Sequence, residues 1–279
     1  MNIEQFKFPG GEVHIRLGDT EDCNKDLPVT ISARLRRSDD IMALRHQTDA
    51  LRREGWKDID LIMPYVPYAR QDRVMVPGEP LSAKVFCDLV NAQNYRCVEI
   101  WDPHSDVTPA LLNNCRVIPQ HVLISDMLDT LDVSTVLVCP DAGARKKTLA
   151  AGKALGLKGI VYADKKRDVE TGRITGTVIS DAPEDWILHA DHLIVDDIAD
   201  GGATFIELAK VLLEKGVTGN INLYVTHGIF SKGFEPFEGL IDRIYVANPW
   251  HSKEAIAAAN SRGKVTIIPA WPDESGILF

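Results

Sequence analysis

The 279-residue chain contains no run near the roughly 20 apolar residues that a membrane span needs, which argues against a membrane protein. Its first residues, MNIEQFKFPGGE, lack the basic-then-apolar order of a secretory leader, so a cytoplasmic location is expected. Its five cysteines, Cys23, Cys87, Cys97, Cys115 and Cys139, are odd in number and form no C-x-x-C pair. Zinc and disulfide frameworks are thereby disfavoured, and reduced thiols expected. The phosphate-binding G-x-x-x-x-G-K-[ST], the dinucleotide fingerprint G-x-G-x-x-G and the metalloprotease H-E-x-x-H are all missing, and with them the mechanisms they carry. Basic residues are outnumbered 31 to 40, for a net charge of -9. Nucleic acid, which recruits basic surfaces, is not an expected partner.

What remains is ordinary for a globular α/β protein: 45% hydrophobic and 25% charged residues. Short apolar runs at 58–66, 95–101, 134–140, 158–163, 192–198 and 221–227 read as strands buried on both faces. Helical patterns fit between them. One, capped by Ser38 or Asp39, places Ile41, Leu44, Thr48 and Leu51 on one face and stops at Gly55. Another follows Cys139, and a third runs from Thr204 to a stop at Gly216. Alternation of this kind predicts mainly parallel sheets flanked by helices, in two similar halves divided near Pro119–Gln120. The polar, Gly-rich stretch 167–179 reads as a mobile loop leading into a short strand.

The most informative stretch is LIVDDIADGGATF, 193–205. Ligands of open α/β sheets bind beyond the carboxyl ends of the strands. Asp196 and Asp197 fall at such an end, and Asp200, Gly201, Gly202, Ala203 and Thr204 form the turn into a helix. Carboxylates accept hydrogen bonds from sugar hydroxyls, and amides at a helix N-terminus grip an anion. Together they suit a sugar phosphate. A capping Asp would explain one of these carboxylates and not three. Elsewhere, PYARQDR (67–73, the end of MPYVPYARQDR) offers Arg70 for phosphate charge, with Gln71 and Asp72 as directional polar groups. His104 and Asp141 each follow an apolar strand, and imidazole with carboxylate can hold a divalent ion, although a solitary histidine also serves as a structural group. Lys165, Lys166 and Arg167 cluster where a strand gives way to the polar stretch, a place equally suited to a solvated basic turn.

LIVDDIADGGATF resembles the phosphoribosyl-pyrophosphate loop shared by type I phosphoribosyltransferases and ribose-phosphate pyrophosphokinases. FPGGE (8–12), MPYVPYARQDR (63–73), PLSAK (80–84), WDPHSD (101–106), CPDAGARKK (139–147) and THGIFS (226–231) resemble, in order, motifs of the second group. The resemblance implies two phosphoribosyltransferase-like domains. Residues 1–119 would bind ATP, rejoined by 264–279, and 120–263 would bind ribose 5-phosphate. The implied reaction moves the β,γ-diphosphoryl group of ATP to the C1 hydroxyl of ribose 5-phosphate, giving phosphoribosyl pyrophosphate and AMP. The implied roles are nucleotide binding for Phe8, Glu12, Arg70, Gln71, Asp72 and His104. The sugar phosphate would be held by Asp196, Asp197 and the loop Asp200–Thr204, and Mg²⁺ by His104 and Asp141. Aligning Asp164 with the family's D-K-R-R run makes Lys165 and Arg167 the catalytic cations. A homo-oligomer with the adenine pocket near a subunit interface is also implied. The alternatives are a phosphoribosyltransferase that consumes the pyrophosphate and a non-catalytic regulatory homologue.

Departures from the pattern are specific. The loop reads D-G-G-A-T in place of D-T-x-G-T, so Gly201 lacks a hydroxyl donor and Ala203 stands at a glycine position. Gly10 replaces a polar residue, and VMVPGE (74–79) replaces a basic stretch. The family's first strand and helix have no counterpart before Phe8, which implies a shortened N-terminus and weakened control by phosphate or ADP.

Overall fold

The computed structural model describes residues 3–125, 131–157, 159–167, 174–183, 186, 188–263, 266–269 and 277–278. The chain divides into two compact units, Met1–Pro119 with Pro272–Phe279, and Gln120–Trp271. Among the described residues no helix is long and apolar enough to cross a membrane, and all five cysteines are unpaired.

The first unit opens with an antiparallel hairpin, β1 (Ile3–Lys7) and β2 (Val13–Leu17). Val13 and Ile15 pack with Ile3 onto Ala43 of α1 (Ser38–Arg53). The cap of α1 is Arg37, not Ser38 or Asp39. Asp40 takes over the capping work from inside the helix, its carboxylate accepting from the Arg36 and Arg37 amides at 2.8 Å each. The expected stop holds at Gly55 (φ 107°), where the Trp56 amide reaches back to the Leu51 carbonyl at 3.1 Å. The sheet comprises β3 (Val29–Ser32), β4 (Ile59–Ile62), β5 (Cys97–Trp101), β6 (Cys115–Ile118) and β14 (Ile277–Leu278), all parallel, in the order β14-β3-β4-β5-β6. Ile31, Leu61, Val98 and Ile100 of these strands meet Leu44 and Leu51 of α1, and Phe86 and Val90 of α2 (Ser82–Asn91). The short helices α3 (Val107–Leu111) and α4 (Gln120–Ser125) flank the boundary between the units.

The second unit carries β7 (Val136–Cys139), α5 (Arg145–Leu155), β8 (Ile160–Arg167), β9 (Ile174–Asp181), β10 (His192–Ala199), α6 (Ala203–Glu214), β11 (Ile221–Gly228), β12 (Arg243–Pro249), α7 (Lys253–Ser261) and β13 (Thr266–Pro269). Its sheet runs β13-β12-β11-β10-β7-β8-β9, parallel except for β8–β9. Side-chain alternation divides the strands between two layers. Val138, Ala163 and Ile194 face Phe205, Leu208 and Leu212 of α6. Leu137, Leu193 and Val195 face Ala151 and Leu155 of α5 and Ile124 of α4. The strand order reverses at the β7/β10 boundary: β8 lies to one side, β11 and β12 to the other.

Two expectations are corrected here. The strand expected to follow the polar loop is β9, which starts at Ile174, within the stretch read as loop and strand, and pairs antiparallel with β8. Gly176, which had suggested a loop, instead admits α6: a Cβ there would lie 3.2 Å from Glu207 Oε1. Residues 168–173 lie outside the described residues. The return of 264–279 to the first unit is corrected at its start. Strand β13 pairs with β12 in the second unit, and the Asn260 side chain clamps Ile267 through its amide (2.7 Å) and its carbonyl (2.8 Å). Of the described residues in this stretch, those of β14 join the first sheet, beside β3.

Candidate active site

In the second unit, the polar residues gather where β7, β8 and β10 end. Asp141 follows β7, and its Oδ1 accepts from the Gly143 (2.9 Å) and Ala144 (3.2 Å) amides, capping the turn that leads into α5. Its Oδ2 receives Lys165 Nζ from β8 at 2.9 Å. Lys165 shares its side of β8 with Ala163, the face covered by α6. On the α5 side, Lys147 Nζ lies 3.5 Å from Asp197 Oδ2. Arg145 bonds to Asp164 at 3.0 Å and sits 5.2 Å from the Tyr162 ring centroid. Acidic groups are thus interleaved with cations on both sides of the rim.

Asp196 and Asp197 are adjacent on β10, and the Asp197 amide donates to Asp196 Oδ1 at 2.9 Å. Asp196 is partly exposed and Asp197 is buried. Burial pushes the Asp196 carboxyl well above the usual carboxylate range, and the charge of Asp197 adds to the effect. A close carboxylate pair of this kind is stabilised by donors or cations, as Lys147 is for Asp197.

The loop beyond β10 is held tightly. Gly202, the residue before α6, has φ 76°, and a Cβ on it would fall 2.5 Å from Phe237 Cζ. Only glycine meets both demands. The N-cap Gly202 has no side chain with which to cap α6, and the first amides of a helix suit an anion. Ala203 is the first, exposed, residue of the helix rather than part of the tight turn, which is why a side chain is accepted at that position.

In the first unit, the residues after β4 and β5 line a cavity of about 490 Å³. Arg70, Gln71, Asp72 and His104 line it, joined by Arg73 and Met75. Asp72 is buried and accepts from Arg73 Nε at 3.1 Å. Burial works to raise its carboxyl, but hydrogen bonds from Ser105 and Arg73 outweigh this and hold it below its ordinary value. Asp72 therefore ties the 70–73 turn to the 103–106 turn, while Arg70, Gln71 and His104 are exposed. Glu79 braces the VMVPGE stretch, accepting from the Met75 (3.0 Å) and Val76 (3.2 Å) amides.

Phe8 and Glu12 sit at the β1–β2 turn, closed by the Phe8 amide donating to the Glu12 carbonyl at 2.9 Å. Gly10 makes room for Glu12: a Cβ there would lie 2.6 Å from Glu12 Oε2. The exposed Phe8 ring belongs to a cluster with Phe6 (5.3 Å) and His14 (5.6 Å). The Arg167 backbone lies on β8, opposite Ile174, and its side chain falls outside the described residues. Among the described residues there is no group of three His, Cys, Asp or Glu able to hold a metal on protein ligands alone.

Sequence reasoning singled out Asp141 and Lys165, which the structure joins, and Arg70, Gln71, Asp72 and His104, which share one cavity. It missed Arg145 and Lys147, although the run ARKK directly after PDAG carried the signal. It passed over Phe6, His14 and Glu79, whose importance depends on contacts that no local pattern encodes.

A parallel sheet that reverses its order beside paired aspartates, with a glycine turn opening a helix, defines an α/β protein of the phosphoribosyltransferase-like class. The family model described as the N-terminal domain of ribose phosphate pyrophosphokinase matches residues 1–93. A ribose-phosphate pyrophosphokinase of Mycoplasma pneumoniae is 32% identical over 261 residues, covering 88% of this chain and 75% of the relative. Its counterpart in Mycoplasmopsis pulmonis is 30% identical over 282 residues, covering 99% and 84%. The crystal structure of phosphoribosylpyrophosphate synthetase from Mycobacterium smegmatis superposes with a TM-score of 0.77 at 21% identity, over 96% of this chain and 85% of that one. The chain belongs to the ribose-phosphate pyrophosphokinase family, and it is an enzyme of that kind.

Proposed function

We propose that the protein transfers the β,γ-diphosphoryl group of ATP to ribose 5-phosphate. The C1 hydroxyl oxygen bonds to the β-phosphorus, the bond from that phosphorus to the α,β-bridging oxygen breaks, and AMP leaves with that oxygen. The hydroxyl proton is released, and the products are phosphoribosyl pyrophosphate and AMP. The observation that carries this reading is the Asp141–Lys165 pair at the same sheet rim as Asp196 and Asp197. It puts a cation suited to a transferring phosphoryl group in the unit that holds a sugar-binding carboxylate pair.

In this reading Asp196 and Asp197 orient the ribose hydroxyls, and the Asp200–Thr204 loop grips the 5-phosphate through its backbone amides. Arg70, Gln71 and His104 contact the phosphates of ATP, with Asp72 fixing their turn, and Phe8 and Glu12 receive the adenine. Lys165, with Arg167, neutralises charge on the transferring group, and catalysis is mainly positioning and electrostatics. A hard divalent cation is compatible with the donors present, because Mg²⁺ is commonly held by one or two protein groups together with substrate phosphates. Asp141 in the second unit and His104 in the first would each be such a group, and the ion would supply positive charge to neutralise the phosphates. The solvent-facing Phe6, Phe8 and His14 cluster supports a homo-oligomer with its adenine pocket near a subunit interface. A cytoplasmic location belongs to the same reading.

The test is an assay of purified protein with ribose 5-phosphate, Mg²⁺ and a panel of nucleoside triphosphates, without a nucleobase. Stoichiometric AMP and phosphoribosyl pyrophosphate are expected from ATP. Turnover only when phosphoribosyl pyrophosphate and a nucleobase are supplied would overturn the assignment in favour of a transferase that consumes it.

A further inference from the structure

The turn that follows β11 is fastened to the sugar-phosphate loop. The Ile229 and Phe230 amides both donate to the Ala199 carbonyl, at 2.8 and 3.1 Å, where β10 ends. Phe230 adopts φ 45°, a left-handed conformation that a bulky residue keeps only where its surroundings hold it. Its ring packs against Phe234 and Phe237, at centroid distances of 4.9 and 5.6 Å. Phe237 in turn fills the space beside Gly202. Residues 229–237 therefore form a rigid platform, and the exposed Lys232 stands on it.

The stem of Lys232 lies against Gly201. A Cβ at position 201 would meet Lys232 Cε at 3.7 Å and Nζ at 4.0 Å. One segment thus fits both glycines of the loop, Phe237 against Gly202 and Lys232 against Gly201. A threonine at 201, as in the family pattern, would bring a side chain into contact with the Lys232 stem. Lys232 makes no hydrogen bond or ion pair with any described residue. Its ammonium stays near the loop, bonded to no described residue, next to a helix whose N-cap is a glycine.

We propose that Lys232 binds the 5-phosphate, supplying from the neighbouring turn the donor that glycine at position 201 cannot. The proposal rests on Asp200–Thr204 being the cradle of ribose 5-phosphate. An ammonium is a compact charge on a flexible stem, able to follow a phosphate that the backbone amides hold from the other side. Gly201 and Lys232 form a pair in contact, in which the lysine lies beside the position that lacks a side chain.

The experiment compares wild type, Lys232→Ala and Lys232→Arg by steady-state kinetics and by calorimetric titration with ribose 5-phosphate. At low ionic strength Lys232→Ala is expected to raise KM and Kd for ribose 5-phosphate about tenfold, with kcat and the KM for ATP within about twofold of wild type. Lys232→Arg should keep most of the affinity, and added salt should narrow the gap between wild type and Lys232→Ala. Adding Gly201→Thr to Lys232→Ala should recover part of the loss, whereas in the presence of Lys232 it should weaken binding. Unchanged affinity in Lys232→Ala, while phosphoribosyl pyrophosphate is still formed, would overturn the role of Lys232 and leave the reaction assignment standing. A wild-type protein that neither binds ribose 5-phosphate nor forms the product would overturn the assignment itself, and this proposal with it. Matching circular-dichroism melts establish that each variant is folded.

Discussion

The two parallel sheets place their polar residues differently. In the second unit the strand order reverses between β7 and β10, and the connections leave that boundary in opposite directions. This opens a crevice at the strand ends, and Asp141, Lys165, Asp196 and Asp197 gather there. In the first unit β3 to β6 follow one another across the sheet without reversal. Its polar residues collect instead in the turns after β4 and β5, around an open cavity. One site is anchored by regular structure and by glycines in contact with aromatic rings. The other is a surface of turns braced by Asp72 and Glu79. One class of fold therefore supports two kinds of site, and the chemistry follows the local architecture rather than the fold class.

Substituting one glycine in each site breaks this comparison most directly. Gly202 and Gly78 both have positive φ, 76° and 94°. A Cβ on Gly202 would overlap Phe237 at 2.5 Å, whereas nothing lies within 4 Å of one on Gly78. Gly202→Ala combines left-handed strain with overpacking and should cost about 3–5 kcal/mol. Gly78→Ala carries only the strain, about 1–2 kcal/mol. Urea melts of the two variants check this, and equal losses would show that the second-unit loop is no more constrained than the first.

Next in size is the contrast in kinetics. Lys165 touches the reacting centre in the proposed reaction, so Lys165→Ala should reduce turnover on the order of 10²–10³, as expected for loss of one transition-state donor. Arg70→Ala should chiefly raise the KM for ATP, on the order of tenfold, with a smaller change in kcat. Near-normal turnover for Lys165→Ala would remove it from the catalytic step.

The sequence was most legible where a local pattern and a structural need coincide. The strands β4, β5, β7, β8, β10 and β11 all fall on continuous apolar runs, because a strand buried on both faces requires them. Asp196, Asp197 and the glycine loop stood out because their order along the chain is also their order in space. The start of β9 was obscured because Gly176, which reads as a loop residue, is needed for the approach of Glu207 on α6. Strands β3, β6 and β12 were passed over, and β13 was assigned to the wrong sheet, since its partner β12 and its clamp Asn260 are tertiary facts. Lys147 and Lys232 look like surface lysines in the sequence. Only the fold brings Lys147 to Asp197 and Lys232 to Gly201.

Effects that appear only away from neutral pH lie at the opposite ends of the strands from the sites, where the two units differ in pH response. In the first unit the Tyr95 hydroxyl is buried and shares a 2.6 Å hydrogen bond with Thr48 Oγ1. Burial pushes its pKa from 10.0 to about 12. The folded state thus holds this proton more tightly than the unfolded chain does. The stability it contributes is complete below pH 10 and is lost as pH rises towards 12, by about 2 kcal/mol. In the second unit His192, which begins β10, accepts from Trp186 Nε1 through Nε2 at 2.8 Å, and its Nδ1 lies 2.8 Å from the Ala190 carbonyl. Burial holds its pKa below 6.5, so the neutral ring is the native form. The unfolded chain takes up the proton first, and stability present above pH 6.5 is lost as pH falls through the lower native value. Denaturant melts across both ranges should therefore show an alkaline slope that flattens in Tyr95→Phe and an acid slope that flattens in His192→Gln. If the acid slope survives in His192→Gln, the Trp186–His192 bond is not its source, and other carboxylates or histidines of the second unit must carry it.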